Sequence, residues 1–501
     1  ARRGSGGPVQ AEASEEDHGG GAELRENLVN HGIKERRQEL ISRLNKENEV
    51  RGKAGSSHQR RVHHLQPSFV VADKAAEGAK YTYKWWDGDQ VAQAGLLDLE
   101  KTARPLEDTL DTAVDLDTLR RMLQEHRVDP DLFGVGQAKT LRRLAEEVQS
   151  GACRMMLDAT EHKKLVRVVD VVVMRIFASD GSGQQCLLIE TEECYPDGRN
   201  RVTLRLPGTK KEPYENAKQT IERMLQDTMH LPGDVVTLDL NSIVRYEEET
   251  ESPSYPGVRT VYRKEIVQGV LKTEDAAVLS KVGLPGFTSW KATDQQGYVK
   301  TLAWMTEAAA QEKGVKLKAE GAEAVSTLVR APIGLDAEAL TKQLVELGMD
   351  VSKYGQEDKT ISIKELSTQL IKGEATLVRA PDGQALRVVD VVLLIVRNPA
   401  NASLLVQAEQ ELPDGSKVAL NRLPGNKCRP DENHFLSARR ILRSGLEIGD
   451  NEVKLSKDVR VVEEEAASVE KRQWDLSYYG GLKTVYRKRL IKAELVSAGA
   501  S

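Results

Sequence analysis

An internal repeat of the sequence places the strongest constraint on the fold. Three short motifs occur twice, in the same order, at offsets between 217 and 224 residues. They are Val-Val-Asp at 168–170 and 388–390, Leu-Pro-Gly at 206–208 and 423–425, and Thr-Val-Tyr-Arg-Lys at 260–264 and 484–488. The offset changes only between motifs, where insertions fall in loops and are tolerated. The sequence therefore predicts a tandem duplication of one module of about 220 residues.

Each copy begins with helical patterns and continues with strand patterns. In residues 115–151 and 336–373, leucines recur at helical spacing on both sides of a glycine-containing turn, which predicts a helical hairpin. Apolar and alternating runs follow, and Pro196-Asp197-Gly198 marks a turn between two of them. The expected fold class is α+β, with two tandem repeats. Each repeat is a helical hairpin followed by a mixed β-sheet domain that carries one helix after its central strands.

The predicted boundaries follow from these patterns. They are an N-terminal polar and helical arm at 1–90, helical hairpin 1 at 91–151, sheet domain 1 at 152–272, a linker with helical hairpin 2 at 273–373, sheet domain 2 at 374–494 and a C-terminal tail at 495–501. The arm has too little apolar sequence to build a core of its own.

Four aromatic residues cluster near the end of this arm. They are Tyr81, Tyr83, Trp85 and Trp86. Paired aromatic side chains in a polar segment predict an anchor that packs on a sheet domain or on a partner protein. Stacking on nucleic-acid bases is the alternative. The extended arm is accordingly expected to reach across a surface.

Composition argues against three features: nucleic-acid binding through net charge, a cysteine metal site and a membrane span. The net charge is −5 with 30% charged residues, so charge does not favour nucleic-acid binding. The four cysteines share no metal-ligand spacing and are expected to be reduced thiols. No apolar run of membrane-spanning length occurs, so no membrane span is expected.

The two Leu-Pro-Gly motifs each open a longer matching stretch, which we call box 1 (206–231) and box 2 (423–446). In each box a basic residue follows the glycine, and Pro, one residue and Glu then lead into a helical pattern. This pattern resembles the Nudix box, the loop–helix that holds metal and a nucleoside diphosphate in Nudix hydrolases. The resemblance implies that both sheet domains are Nudix-like. It assigns box positions to Gly208, Glu215, Arg223 and Asp227 in box 1, and to Gly425, Glu432 and Arg440 in box 2.

Both boxes depart from the family where its chemistry needs carboxylates. The key glutamate position holds Met224 in box 1 and Ile441 in box 2. The paired-glutamate positions hold Asp227-Thr228 and Ser444-Gly445. A Met or Ile side chain cannot ligate Mg²⁺, which prefers oxygen ligands.

We therefore expect two pseudo-Nudix domains with no catalytic residue, no metal and no cofactor. The remaining arginine of each box is expected to pair with the loop glutamate and fasten the loop to the helix. Gly208 and Gly425 are expected to be structural, in a conformation that resists a side chain. If φ is positive at Gly208, Gly208→Val should destabilise the first copy by about 1–3 kcal/mol.

Three classes of function remain open. The first is a non-catalytic scaffold subunit that binds other subunits or itself inside an organelle. Degenerate Nudix-like domains occur in organellar assemblies, and a self-assembling plastid coat of the algal pyrenoid-shell type is a specific version. A plastid is favoured over a mitochondrion, with the cytoplasm as the other location. The second class is a sensor that binds a nucleotide without hydrolysis. The third is a hydrolase of nucleoside diphosphate derivatives that uses box 1.

Overall fold

The structure is a computed structural model that describes thirteen stretches of the chain. They are residues 63–72, 78–106, 112–136, 138–158, 165–179, 184–251, 254–317, 328–330, 336–356, 360–379, 383–429, 432–465 and 478–496. Within them the protein is a mixed α+β fold with two ten-stranded sheets. No helix in these stretches is long and apolar enough to cross a membrane.

The N-terminal segment consists of a strand pair and two short helices. Its elements are β1 (Ser68–Ala72), β2 (Lys80–Trp86), α1 (Gly88–Gln93), α2 (Asp98–Thr102) and β3 (Arg104–Pro105). A hairpin with apolar residues on one face needs a sheet to cover it. It finds one in the C-terminal half of the chain, as described below.

The first helical hairpin and the first sheet follow. Helices α3 (Thr112–Glu125) and α4 (Leu141–Ser150) pack against each other, and Thr140 caps α4. The strands are β4 (Arg154–Asp158), β5 (Leu165–Ser179), β6 (Gln185–Cys194), β7 (Asn200–Arg205) and β8 (Gly208–Lys210). After α5 (Ala217–Arg223) come β9 (Val236–Glu251) and β10 (Arg259–Leu271).

The segment between the two copies also contributes to a sheet. It contains α6 (Ala276–Lys281), β11 (Trp290–Thr293), β12 (Val299–Met305), α7 (Glu307–Glu312) and β13 (Leu328–Arg330). Strand β12 pairs antiparallel with β6, and β13 pairs with β4. The sequence prediction placed this region in a linker. The structure corrects it, because residues 290–305 extend the first sheet.

The C-terminal half has the same order of elements. Its helical hairpin is α8 (Ala337–Glu346) and α9 (Ile363–Lys372). Its strands are β14 (Thr376–Arg379), β15 (Ala385–Asn398), β16 (Ser403–Glu411), β17 (Lys417–Arg422), β18 (Gly425–Lys427), β19 (Val453–Glu465) and β20 (Lys483–Leu495). Helix α10 (His434–Arg440) lies between β18 and β19.

The strand orders of the two sheets correspond. The first sheet runs β11-β12-β6-β5-β10-β9, and the second runs β1-β2-β16-β15-β20-β19-β3. In both, the two central strands are parallel, β5 with β10 and β15 with β20. We call the first sheet with its hairpin α3–α4 module 1, and the second sheet with its hairpin α8–α9 module 2.

The N-terminal hairpin therefore belongs to module 2. Strand β2 pairs with β16 from Lys80 opposite Glu411 to Trp86 opposite Leu404. Tyr83 is buried in the module 2 core together with Phe69. The predicted arm over 1–90 is thus corrected for residues 63–72 and 78–90, which form part of a sheet domain. Residues 1–62 lie outside the described residues.

Candidate functional site

Each box is placed by a short strand that docks on the central strand of its sheet. Strand β8 pairs with β5, and β18 pairs with β15 in the same register relative to the repeat. The loop then turns into a helix whose N-terminus is capped by an asparagine, Asn216 in α5 and Asn433 in α10. The side-chain oxygen of each asparagine accepts a hydrogen bond from a backbone N–H of the first turn, which starts the helix at this point.

The loop glutamate of box 1 is fully engaged by protein groups. Glu215 is buried, and Arg223 donates to both of its carboxylate oxygens, with Nε 2.6 Å from Oε1. The hydroxyl of Thr220 and the backbone N–H of Glu212 donate to Oε2 at 2.9 and 3.2 Å. Arg223 also donates to the carbonyl oxygen of Lys210 in the loop. The arginine thus fastens the loop to the helix.

Box 2 repeats this arrangement with different side chains. The Nε of Arg440 donates to both oxygens of Glu432, at 2.8 and 2.9 Å. The hydroxyl of Ser437 donates to Oε2 at 2.9 Å, in the place that Thr220 holds in box 1. Arg440 also donates to the carbonyl oxygen of Lys427. Both glutamates lie where their lone pairs stabilise the fold, so neither carboxylate faces open solvent as a ready cation ligand.

The positions at which Nudix hydrolases carry their key glutamate are apolar and inside the core. Met224 is 3% exposed and Ile441 is 5% exposed. Each packs in the main hydrophobic cluster of its module, and each begins a π-helical turn that ends the box helix. Asp227 is half-buried in the π-helical turn of box 1. The described part of the chain contains no group of three or more His, Cys, Asp or Glu side chains placed to hold a metal ion.

The glycines of the boxes have a structural reason that differs from the predicted one. Neither Gly208 nor Gly425 has a positive φ, so a left-handed backbone is not the reason that these positions need glycine. A Cβ at Gly208 would lie 3.0 Å from the Val172 carbonyl oxygen, and one at Gly425 would lie 2.7 Å from that of Val392. Glycine is needed because the loop strand approaches the central strand closely.

The basic residues of the boxes are partly committed to other contacts. Lys211 forms an ion pair with Glu265 at 3.1 Å. Burial and the nearby Arg167 guanidinium lower the pKa of Lys210. The ion pair of Lys211 thus stabilises module 1, whereas Lys210 is exposed.

The aromatic cluster near the N-terminus lies in β2, and it packs on the core that also contains the box 2 residues Phe435 and Ile441. The indole Nε1 of Trp85 donates to the carbonyl oxygen of His64, and the amide of Gln410 donates to the Tyr81 hydroxyl. The side chains of Tyr81 and Trp85 pack against the module 2 core, and that of Trp86 packs against a second apolar cluster of the same module. Of the two surfaces predicted for this anchor, a sheet domain and a partner protein, the structure shows contact with the protein's own second sheet.

The two boxes meet at the contact between the modules, which the sequence did not predict. The amide nitrogen of Asn216 donates to the Asp450 carbonyl oxygen at 2.7 Å, and that of Asn433 donates to the Gly151 carbonyl oxygen at 3.1 Å. Arg439, which is buried, donates to the carbonyl oxygen of Tyr214 at 2.7 Å. Each capping asparagine thus uses its oxygen for its own helix and its amide nitrogen for the other module.

Aromatic side chains complete this contact. The ring of Tyr214 lies edge-on to that of Phe435, with centroids 6.1 Å apart, and Tyr214 packs on the module 2 core. Glu-Asn immediately before the helix occurs in both boxes, and this pair was the available signal for a special role. The N-terminal ends of both box helices are therefore covered by protein.

Comparison with known proteins gives limited similarity. No protein-family model matches the chain, and no curated protein matches it. Among solved structures, a C. elegans Ap4A hydrolase binary complex is 12% identical, with 29% of this chain and 84% of that chain covered and a TM-score of 0.19. A NUDIX hydrolase from Nitrosomonas europaea is 17% identical, with coverage of 29% and 77% and a TM-score of 0.19. The Nudix hydrolase RenU from M. smegmatis is 14% identical, with coverage of 32% and 82% and a TM-score of 0.20. TM-scores this low carry no argument about activity.

Proposed function

We propose that this protein is a non-catalytic structural subunit built from two pseudo-Nudix modules. The observation that carries the proposal is the state of the boxes. Their loop glutamates are held by Arg223 and Arg440, and the positions that need a carboxylate are core residues. A carboxylate that already accepts two arginine hydrogen bonds would have to give them up to bind a divalent cation.

The position of the boxes supports the same proposal. In an active Nudix site, metal and pyrophosphate must reach the loop and the start of the helix. Here Asn216, Tyr214 and Asn433 use that part of each box to join one module to the other. The boxes thus act as joints that hold two similar sheets in one unit, which suits a component of a larger assembly. The assembly is proposed to lie in an organelle, with other subunits or further copies as partners.

The test is the native mass of the protein, together with the identity of the chains that co-migrate with it. A scaffold subunit should run as a species of high mass. A free monomer with no co-purifying partner would contradict the assembly role. Nucleotide-dependent melting without turnover would instead favour the sensor. Turnover that depends on a divalent metal ion would favour the hydrolase.

A further inference from the structure

Two parts of the chain form matching hairpin–helix units. Unit 1 comprises β1, β2 and α1 (68–72 and 80–93), and unit 2 comprises β11, β12 and α7 (290–312). In both, the helix begins two residues after the last strand residue and is capped by the intervening residue, Asp87 or Thr306. Unit 1 adds to the edge of β16, and unit 2 adds to the edge of β6.

The two units also pair in the same register. Trp85 lies opposite Leu405 on β16, and Trp304 lies opposite Leu188 at the corresponding position of β6. Each pairing contains one irregularity, between Gln407 and Glu409 on β16 and at the corresponding residues of β6. The edges of β6 and β16 therefore recognise the same kind of segment.

Each unit packs on a different module from the one that follows it in the chain. Unit 2 packs on module 1 and leads along the chain into module 2. Unit 1 packs on module 2; the chain then runs through α2 and β3, which also lie on module 2, and continues into module 1. Each unit thus packs on one module and continues into the other. A junction of this type is heterologous, and repeated heterologous junctions give either a closed ring or an open series of molecules. In a single chain the ring is closed, because unit 2 packs on module 1 and unit 1 packs on module 2 of the same molecule.

We propose that unit 1 is exchangeable between copies of this chain, and that β16 of one copy accepts unit 1 of a second copy, joining the copies head to tail. The proposal rests on the proposed assembly role and names a second copy of the chain as the partner. The strand pairing, the ion pairs of Lys80 with Glu411 and Lys84 with Glu409, and the packing of Phe69 and Tyr83 are the same whichever copy supplies the unit.

Unit 1 makes the same contacts on its own β16 as on the β16 of a second copy. The protein concentration therefore decides which of these two arrangements forms. A tethered segment meets its own acceptor at an effective concentration on the order of millimolar. Exchange should therefore be rare in dilute solution. It should increase where copies are held close together, as in an assembly. The segment would serve as a connector that remains folded on its own chain until a neighbour is present.

The test uses a disulfide to link two residues that lie opposite each other on β2 and β16, so that the pairing of these strands is fixed covalently. Lys80 and Glu411 lie opposite each other, and neither is in the core. Directly opposed residues of antiparallel strands have Cβ atoms about 4.5–5.5 Å apart, close to the separation that a disulfide needs. The background carries Cys194→Ser and Cys428→Ala, which removes the two cysteines that are not fully buried.

Three samples are oxidised after incubation at high protein concentration, and the cross-linked peptides are identified by mass spectrometry. The chain with both Lys80→Cys and Glu411→Cys should close on itself, which shows that the pair can form. An isotope-labelled Lys80→Cys copy mixed with an unlabelled Glu411→Cys copy should give a dimer linked at these two positions. A mixture of Lys80→Cys with Lys457→Cys, an exposed position on β19, measures random cross-linking.

The proposal predicts about tenfold more of the specific dimer than of the random one, with a yield that rises as the protein approaches the millimolar range. An equal yield from the two mixtures would overturn it. Failure of the doubly substituted chain to close would also overturn it, because β2 would then not lie on β16. These outcomes are separate from the assembly role, since a species of high native mass without the specific dimer would mean that copies join by another surface.

Discussion

Modules 1 and 2 bury the same arginine in different ways. In module 1, Arg167 donates to the Glu147 carboxylate at 2.5 Å, and Lys139 forms a second ion pair with it at 2.7 Å. In module 2, Arg387 donates to the amide oxygen of Gln369 at 3.1 Å and lies 4.3 Å from the centre of the Tyr479 ring. The position of Lys139 is taken by Ile361, as shown by matching backbone hydrogen bonds from these two residues.

A second buried cluster shows the same difference. Glu190 is 0% exposed and binds Arg205 and Lys300, at 2.5 and 3.0 Å. In module 2 the corresponding residue is Gln407, which accepts from Arg422 at 3.0 Å. Tyr81 occupies the place of Lys300 in the strand register.

The comparison shows that the substitutions are coupled. Where module 2 replaces a carboxylate by an amide, it also replaces one of the two cations by an uncharged residue. A carboxylate with two cations and an amide with one cation carry the same formal net charge, +1. An amide left beside both cations would raise that charge to +2 in a site that is partly shielded from water. The same fold can therefore be stabilised by either set, provided that the set is complete.

The strongest test of this coupling is Glu190→Gln. It leaves Arg205 and Lys300 beside an amide. A fully buried pair that loses one partner costs about 3–5 kcal/mol in unfolding free energy, and the value here should be lower, about 2–3 kcal/mol, because the Arg205 side chain is 44% exposed. Adding Lys300→Tyr copies module 2 and should recover part of this loss. Denaturant unfolding of both variants provides the measurement. A loss below about 1 kcal/mol, typical of an exposed ion pair, would break the comparison.

Low pH should destabilise module 1, because protonation of Glu147 removes the charge that binds Lys139 and Arg167. Burial opposes ionisation, but Lys139 and Arg167 lower the pKa of Glu147 to about 2. A depressed folded-state pKa gives stability that is complete above the ordinary pKa and is lost as the pH falls towards 2. The contribution is about 3 kcal/mol, at about 1.4 kcal/mol for each pKa unit.

The matched variant is Glu147→Gln with Lys139→Ile, which gives module 1 the side chains of the module 2 cluster, an arginine beside an amide and an isoleucine. It should unfold with a weaker dependence on pH between about 4.5 and 2 than the wild type. Unchanged acid dependence would mean that Glu147 does not carry the charge in the folded state.

Substitution of the two box glycines should lower the unfolding free energy by different amounts. A Cβ at Gly425 meets Leu393 Cδ2 at 2.5 Å and the Val392 carbonyl oxygen at 2.7 Å, whereas the nearest atom at Gly208 lies at 3.0 Å. Gly425→Ala should therefore destabilise the protein by about 2 kcal/mol, and Gly208→Ala by about half of that. Equal melting temperatures for the two variants would show that both loops relax to the same extent.

A smaller effect is expected from His434 in module 2, whose counterpart in module 1 is Ala217. Burial and the neighbouring Arg489 lower the pKa of His434 to about 3, against the opposing effect of Asp390. The folded state therefore keeps the ring neutral, and stability falls as the pH drops below about 6.5. We expect a loss of about 1–2 kcal/mol between pH 7 and 5. His434→Ala should remove this slope, and a slope that persists would assign it to another group.

The sequence predicted the parts of this fold that leave a local signal. The helical hairpins, the turn at 196–198 and the pairing of Arg223 with Glu215 follow from periodicity, turn residues and the box pattern. The pairing of β2 with β16 did not follow, because it joins residues more than 300 positions apart and no local pattern selects the acceptor strand. Glu190 was also missed, since a glutamate that follows a short apolar run is usually solvated.

The joint between the boxes was missed for a related reason. An asparagine before a helix predicts a cap, and both asparagines are caps. The second use of each side chain depends on where the other module lies, which no local pattern encodes. The reason for the box glycines could not be read from the sequence either, because close approach of two strands and a left-handed backbone both select glycine.

The most direct test of the central claim, that the box glutamates serve structure and not catalysis, is a paired measurement on wild type and Glu215→Gln. Turnover of nucleoside diphosphate sugars, dinucleoside polyphosphates and oxidised nucleotides is measured with Mg²⁺ and Mn²⁺, together with unfolding free energy. The account predicts no turnover above background in either protein and a loss of about 2–4 kcal/mol in the variant, because Arg223 would lose its buried partner. Metal-dependent turnover by the wild type that Glu215→Gln abolishes would contradict it.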